Sequence, residues 1–169
     1  GLNTYLAEQY GDPAYADRMT PVALIPMFTP EAAIEELEYA TGKLGMKAIL
    51  MNNYVRRPIP FAQRTSPELA AYTDRLDTYG IDSDYDYDPV WKKCVELKVA
   101  PTFHSVGRGW GSRRSPSNYC YNHIGHLAAS GEAVCKSLFI GGVTRRFPSL
   151  RFGFLEGGVG WAASLYADL

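Results

Sequence analysis

Two residues that can do chemistry, His104 and Glu156, each close a short apolar run of the kind that forms a buried strand. His104 follows residues 99–103, and Glu156 follows residues 150–155. A neutral imidazole is a common ligand of zinc, manganese and iron, and it also serves as a general base. A carboxylate can bind a metal, orient a metal-bound water or transfer a proton. Because active sites form at the C-terminal ends of parallel strands, this placement predicts one shared site.

Glycines at 157 and 158 follow Glu156 directly, and glycine lets the backbone adopt positive φ and approach a ligand closely. An alternative role for Glu156 is to cap the next helix, whose N-terminal dipole favours negative charge. The same turn also reads Gly-Val-Gly-Trp-Ala-Ala from Gly158, which matches the G-x-G-x-x-A pattern of dinucleotide-binding domains. The bulky Trp161 after the second glycine is awkward for that alternative.

Three further residues are candidates for binding a substrate. His123 and His126 are three positions apart, so on one helix both rings would share a face. Arg113 lies in a loop rich in glycine and arginine, and a guanidinium binds a carboxylate in a bidentate fork. The alternatives are a surface or helix-start histidine pair and a solvated loop.

Apolar runs alternate with helical patterns along the chain, which predicts an α/β fold with about four βα units of a (β/α)8 TIM-type barrel. The alternative is an open sheet of four strands. The long stretch 54–88 interrupts this order and is typical of a functional loop or lid, with a short helix after Ser66. Strands are predicted within residues 21–27, 46–51, 99–104 and 150–155, and helices within 30–44, 88–97, 122–146 and 162–169.

The first of these helices has a clear start at Thr29 and Pro30, a capping hydroxyl followed by proline at the first helical position. Its apolar spacing predicts one face directed at the core. That face consists of Ile34, Leu37, Thr41 and Leu44.

Composition favours one globular domain over residues 1–169, because 46% of the residues are hydrophobic and 21% are charged. A formal net charge of −1 argues against binding to nucleic acid or to an anionic membrane. The three cysteines contain no CxxC pair, which is typical of reduced thiols and predicts a cytoplasmic protein. The partner expected is a small-molecule substrate, and a homo-oligomer is compatible with this composition.

Residues 138–169 resemble the late part of the amidohydrolase 2 family, which includes the aminocarboxymuconate-semialdehyde decarboxylase-like enzymes. The resemblance lies in a Gly-x-x-x-Arg-Phe-Pro-x-Leu turn, a strand, and then Glu-Gly-Gly and Trp. The segment Pro-Thr-Phe-His that ends at His104 is similar to the family's Pro-Val-x-x-His strand. The resemblance implies a distorted TIM barrel with one divalent metal ion, commonly zinc or manganese. It implies that His104 is a metal ligand and that Glu156 occupies the position of a catalytic proton shuttle, which is His in many members.

Two features of that family, the first-strand His-x-His or Glu-x-His pair and the late-strand Asp, do not occur in these residues. We therefore expect a domain that represents an incomplete metal-dependent hydrolase barrel. The function predicted is metal-dependent hydrolysis or non-oxidative decarboxylation of a small carboxylated or cyclic substrate. The alternatives are a catalytically inert barrel protein that binds a ligand or partner, and a dinucleotide-binding α/β domain.

Overall fold

A computed structural model describes residues 1–70, 72–105, 110–111 and 114–169. The strands are β1 (Val22–Ile25), β2 (Ala48–Asn52), β3 (Val55–Pro58), β4 (Asp74–Asp77), β5 (Pro101–His104) and β6 (Gly153–Phe154). The main sheet has four parallel strands in the order β1-β2-β5-β6, and β3 and β4 form a separate antiparallel pair. The parallel sheet confirms the predicted α/β order. Three of its strands lie within the predicted runs, and β2 extends one residue beyond its run, to Asn52.

Helices connect these strands and cover the sheet. They are α1 (Leu2–Tyr10), α2 (Pro30–Leu37), α3 (Pro60–Thr65), α4 (Pro67–Ala70), α5 (Asp88–Leu97), α6 (Tyr119–His123), α7 (His126–Ile140), α8 (Val143–Arg146) and α9 (Gly160–Asp168), and α2 continues as a π-helix over Glu38–Lys43. Of the helices in the described ranges, none combines the length and the apolar character needed to cross a membrane.

The start of α2 agrees with its sequence, because the Thr29 hydroxyl accepts a hydrogen bond from the Ala32 amide at 3.2 Å. The predicted core face is largely confirmed. Leu37 is buried, and Ile34 and Leu44 are half-buried and pack against the core. Thr41 is half-buried, and its hydroxyl donates to the Leu37 carbonyl at 2.7 Å. The sequence pattern did not single out Pro30, Ala33 and Ala40, which are buried as well. The small side chain of alanine lets a helix approach the sheet closely.

The long stretch after β2 contains structure that the sequence pattern did not predict. β3 and β4 pair antiparallel, with Val55 opposite Asp77 and Pro58 opposite Asp74. The helices α3 and α4 lie between them, and α4 is the short helix predicted after Ser66. This stretch is therefore a small antiparallel flap next to the C-terminal ends of β1 and β2.

The predicted long helix over 122–146 is divided into three. Gly125, with φ 76°, separates α6 from α7, and Gly142, also with φ 76°, separates α7 from α8. Positive φ of this kind ends a helix and is easy only for glycine. His123 ends α6 and His126 begins α7, so the expectation that both rings share one helical face is wrong.

Aromatic rings fill the space between the sheet and the helices. Phe103 on β5 is fully buried and stacks on Phe154 of β6 with ring centroids 5.7 Å apart. Trp91 from α5 is also fully buried and meets Phe152 edge to face at 5.7 Å. These contacts hold β5 and β6 side by side, and so they fix the spacing of the two residues that follow, His104 and Glu156.

Candidate active site

His104 and Glu156 meet at the C-terminal edge of the parallel sheet. His104 ends β5, and its Nε2 atom lies 3.0 Å from Oε2 of Glu156, which follows β6. The His104 side chain is 35% exposed and the Glu156 side chain is 59% exposed. The structure thus brings together the two residues that the sequence placed at two strand ends, in a position open to a ligand.

The backbone around Glu156 is held in an unusual conformation. Leu155 donates to the Phe103 carbonyl at 2.9 Å, and then Glu156, Gly157 and Gly158 all have positive φ, of 63°, 79° and 71°. A Cβ atom on Gly157 would lie 2.5 Å from the backbone nitrogen of Ala128 in α7. Glycine is therefore required at 157, and this close approach presses the turn against α7.

The alternative role of Glu156 as a helix cap does not fit this geometry. The residue at the N-cap of α9 is Val159, three positions further on. The Glu156 carboxylate instead contacts the His104 ring. A non-glycine residue with positive φ is uncommon and costs about 1 kcal/mol or more, and such strain often occurs at functional positions.

A buried histidine lies directly behind the exposed pair. His126 is 2% exposed, and its Nε2 atom is 3.0 Å from the hydroxyl of Ser105, the residue after His104. The ring of Tyr54 meets His126 edge to face at 6.2 Å and Trp110 at 5.4 Å. A cavity of about 240 Å³ adjoins this cluster and is lined by Trp110, Tyr121, Asn122, Ile124, Gly125 and His126.

The other two predicted substrate-binding residues are less closely tied to the pair. His123 is exposed, and it stacks on Tyr119 of the same helix with centroids 5.4 Å apart and Nδ1 3.3 Å from the Tyr119 hydroxyl. Arg113 lies outside the described residues. The predicted roles of His123, His126 and Arg113 therefore stay predictions.

Metal-ligating side chains are sparse in the described part of the chain. No three His, Cys, Asp or Glu residues of that part lie together as a metal-binding group. The His104–Glu156 pair supplies one imidazole nitrogen and one carboxylate oxygen, both suitable for zinc or manganese. Their 3.0 Å separation is close to the roughly 3.0–3.4 Å expected for two ligand atoms about 2.1 Å from one ion. The pair fits a divalent ion in chemistry and spacing but supplies fewer than three ligands.

A second, buried network near this edge was not expected from the sequence. Arg57 on β3 binds the Asp77 carboxylate at 3.0 Å, the Tyr87 hydroxyl at 2.8 Å and the Phe28 carbonyl at 2.6 Å. Tyr87 in turn donates to the carbonyl of Met27 at 2.6 Å. Burial raises the pKa of Tyr87 to about 12.

Burial alone would lower the pKa of Arg57, but its interactions with Asp77 and Tyr87 together outweigh burial, so the pKa of Arg57 also rises. The network ties the flap of β3 and β4 to the chain directly after β1. In the linear sequence nothing distinguishes Arg57 from its neighbour Arg56, because only the alternation along β3 decides which side chain points inward.

Comparison with known proteins gives a family and a fold. The amidohydrolase 2 family model, described as Amidohydrolase, matches residues 1–168. No curated protein matches the chain. A solved 2,6-dihydroxybenzoate decarboxylase from Rhizobium is 21% identical with a TM-score of 0.63, over 89% of this chain and 42% of that one.

Two other solved structures give the same picture. A dihydroxybenzoic acid decarboxylase from Polaromonas sp. JS666, with bound manganese and the inhibitor 2-nitroresorcinol, is 22% identical with a TM-score of 0.61, over 89% of this chain and 41% of that one. An amidohydrolase from Mycobacterium avium subsp. paratuberculosis K-10 is 22% identical with a TM-score of 0.64, over 99% of this chain and 39% of that one.

The chain belongs to the amidohydrolase 2 family, because the family model covers nearly all of it. It has the α/β fold of part of a TIM-type barrel, and it spans about 40% of the length of the solved structures that it matches. Both findings confirm the resemblance found in the sequence.

Proposed function

We propose that the protein is a divalent-metal-dependent enzyme that removes a carboxyl group, without oxidation, from a small ring compound. The observation that carries this proposal is the 3.0 Å contact between His104 and Glu156 at the open C-terminal edge of the sheet. The reaction class is supported by the similarity in fold to two ring-acid decarboxylases. A divalent metal is supported by the manganese bound to the Polaromonas enzyme.

We propose that His104 holds the metal through Nε2. Catalytic divalent sites usually have three protein ligands, and the described residues offer His104 with at most Glu156 beside it. The seven residues left undescribed are Ala, Val, Gly, Arg or Ser, none of which is a usual ligand type. The remaining ligands would then come from outside residues 1–169, in agreement with the prediction of an incomplete barrel.

When bound, the metal supplies Lewis-acid polarisation of a substrate oxygen or lowers the pKa of a bound water. Decarboxylation breaks the bond between the ring carbon and the carboxylate, releases carbon dioxide and leaves the electron pair on the ring carbon. That carbon needs a proton, and we assign its delivery to the protonated carboxyl of Glu156. The exposure of Glu156 gives the carboxyl access to a ring placed at the edge, and its position 3.0 Å from His104 Nε2 would place it beside the metal that His104 holds.

The wall behind this pair is aromatic, as a site for a flat ring requires. We propose that His126, with Tyr54 and Trp110 beside it, orients the ring, and that His123 and Arg113 also bind the substrate. The described cysteines are all free thiols, which supports assignment to the reducing cytoplasm. A homo-oligomer stays a prediction.

Hydrolysis is the second candidate reaction. It is favoured because the matched family and the similar mycobacterial protein are both called amidohydrolases. In that case Glu156 would act as a general base, because a carboxylate can take the proton of an attacking water. The two reactions therefore need opposite protonation states of Glu156 at the start. Product analysis separates them, since decarboxylation releases carbon dioxide and hydrolysis does not.

The first experiment combines metal analysis with a turnover assay. Purified protein supplied with manganese or zinc is tested for carbon dioxide release from 2,6-dihydroxybenzoate and related ring acids. We expect His104→Ala to lose bound metal and to lower turnover about 100-fold or more, because removing even a supporting group of a metal site typically costs 10–100-fold. Glu156→Gln should keep the metal better than His104→Ala but lose turnover.

A matched control is Glu8→Gln, which removes an exposed carboxylate on α1 and should change neither metal content nor rate. The assay needs protein that also contains the ligands outside residues 1–169, and such a wild-type protein that takes up no manganese or zinc would contradict the proposal and favour the inert barrel. Full turnover in His104→Ala would remove His104 from the mechanism. A titration with NAD tests the dinucleotide-binding alternative.

A further inference from the structure

A cavity of about 380 Å³ opens beside the candidate active site, and its lining combines apolar walls with one cation. It lies at the C-terminal ends of β1 and β2, under the start of β3. It is lined by Ile25, Pro26, Met27, Phe28, Asn52, Tyr54, Val55 and Arg56. Asn52 is the register partner of His104 on the neighbouring strand, so the cavity begins one strand away from the His104–Glu156 pair.

The walls of this cavity are suited to a flat ring. Phe28 is 67% exposed although it is large and apolar, and Met27 and Ile25 are buried beside it. Tyr54 is 3% exposed and is fixed by its ring contacts with Trp110 and His126. An exposed phenylalanine at the rim of a cavity gives a ring an apolar surface to stack on.

Among the described lining residues, the charged one is Arg56. Its Nη1 atom binds Asp74 on β4, and both side chains are 30% exposed. Its guanidinium also interacts with the Tyr54 side chain. A guanidinium carries five N–H donors in a fixed fork, so these two partners do not use its full capacity. Asp74 and Tyr54 therefore orient the guanidinium and leave donors for a second carboxylate.

Arg57 differs from Arg56 in this respect. Its three nitrogens are bonded to Asp77, to Tyr87 and to the Phe28 carbonyl, and the residue is 8% exposed. Of the two adjacent arginines, Arg57 holds the flap in place and Arg56 faces the cavity. The alternation of side chains along β3 produces this division of roles.

We propose that this cavity binds a carboxylate of a planar ring acid, with Arg56 as the anion-binding residue and Phe28 as the stacking surface. The inference rests on the proposed function, since it names a subsite for the same substrate. Neighbouring strands are about 4.8 Å apart. A ring that reaches from His104 to the cavity would therefore place its reacting carboxyl group near His104 and a different carboxylate near Arg56. The substrate class is then a ring compound with a second anionic group.

Direct binding tests this subsite without turnover. The protein is titrated by calorimetry with benzene-1,3-dicarboxylate and with resorcinol, an uncharged ring of similar size. We expect Arg56→Met to raise the Kd of the dicarboxylate roughly tenfold or more, because a charge-assisted hydrogen bond is lost. The Kd of resorcinol should stay within about twofold. Arg56→Lys, which keeps the charge but not the fork, should fall between Arg56→Met and wild type.

The matched control is Arg64→Met, which removes an exposed arginine on α3 and should leave the Kd unchanged. An equal Kd of the dicarboxylate in wild type and in folded Arg56→Met would overturn the proposal, and so would a failure of wild type to bind it. Arg56-dependent binding of the dicarboxylate by wild-type protein that shows no turnover would contradict the proposed function alone.

Discussion

Two acid–base pairs near the C-terminal edge of the sheet have the same separation and opposite surroundings. His104 and Glu156 are 3.0 Å apart, with side chains 35% and 59% exposed. Arg57 and Asp77 are also 3.0 Å apart, with side chains 9% and 0% exposed. The first pair leaves atoms accessible to a ligand, and the second pair is enclosed by protein.

The difference shows what burial demands of charged groups. A buried ion pair must satisfy its remaining donors and acceptors, or the loss of hydration makes it unfavourable. Arg57 meets this demand through Tyr87 and the Phe28 carbonyl, and Asp77 through the Ser83 hydroxyl at 2.8 Å. Among the described residues, the open pair has no further side-chain hydrogen bond of this kind, and Glu156 also carries a strained backbone. We infer that the buried pair serves stability and the open pair serves function.

Breaking the buried pair should have the largest effect on stability. Arg57→Met leaves the Asp77 carboxylate buried without its cation, and we expect a loss of about 3–5 kcal/mol in the free energy of unfolding. Urea denaturation measures this. The control Arg64→Met removes an exposed arginine and should stay within about 0.5 kcal/mol of wild type. A loss below about 1 kcal/mol in Arg57→Met would show that the network contributes little.

A smaller effect is expected from Gly157, which supports the open pair. Gly157→Ala places a Cβ atom against the Ala128 backbone nitrogen and strains a residue with φ 79°. We expect a loss of about 2–3 kcal/mol in stability and a displaced Glu156 with reduced turnover. Gly160→Ala is the matched control, because nothing lies within 4 Å of its added Cβ atom. Equal stability of the two variants would mean that the turn can move away from α7.

A rise to alkaline pH should also lower the free energy of unfolding, because two buried groups of the core would then lose protons on unfolding. Burial raises the pKa of Cys94 from 9.0 to about 12, and burial also raises the pKa of Tyr87 from 10.0 to about 12. The folded protein keeps these protons while the unfolded chain releases them, so stability is fully present below pH 9 and falls as pH rises towards 12. Each group contributes a slope of about 1.4 kcal/mol per pH unit within its window.

Denaturant titrations between pH 8 and pH 11 measure this dependence. The range is chosen because it includes the pKa of Cys94 in the unfolded chain, which is 9.0. Cys94→Ala should reduce the slope that begins near pH 9, because it removes one of the titrating groups. A free energy of unfolding that is constant from pH 8 to pH 11 would mean that burial does not raise the pKa values of these groups above those in the unfolded chain.

The smallest effect should come from relieving strain in the open pair. Glu156→Gly removes a side chain from a residue with φ 63°, and we expect stability to rise by up to about 1 kcal/mol while turnover is lost. Lys98→Gly is the control, because Lys98 has φ 56° at the end of α5 and lies outside the site. It should gain similar stability and keep full turnover. Lower stability in Glu156→Gly would mean that the contact with His104 outweighs the backbone strain.

The strands and the helix starts could be predicted because their signals are local. Apolar runs identify buried strands, and Thr29 followed by Pro30 identifies the start of α2. The break between His123 and His126 was missed, although Gly125 was visible, because a glycine ends a helix only when its neighbours allow positive φ. The core face of α2 was only partly predicted, because the small residues Ala33 and Ala40 are fully covered whereas the larger Ile34 and Leu44 stay half-buried, and this depends on how closely the helix packs on the sheet.

The candidate site shows the same division. Sequence identified His104 and Glu156, since both follow a recognisable strand. It did not identify Arg56, Tyr54 or Phe28, because these residues lie in or beside a stretch without a repeating pattern. Their proximity depends on the antiparallel pairing of β3 with β4 and on the contacts that hold this flap to the end of β1.

By itself, the sequence determined the parallel α/β order, the family and the two residues at the strand ends. These features follow from hydrophobic periodicity, from turn chemistry and from short motifs, which act over a few residues. Only the tertiary structure decided that His104 and Glu156 lie 3.0 Å apart, that Arg57 is enclosed and that Arg56 faces a cavity. Such relations depend on strand register and on close packing between segments distant in the chain, and no local pattern specifies them.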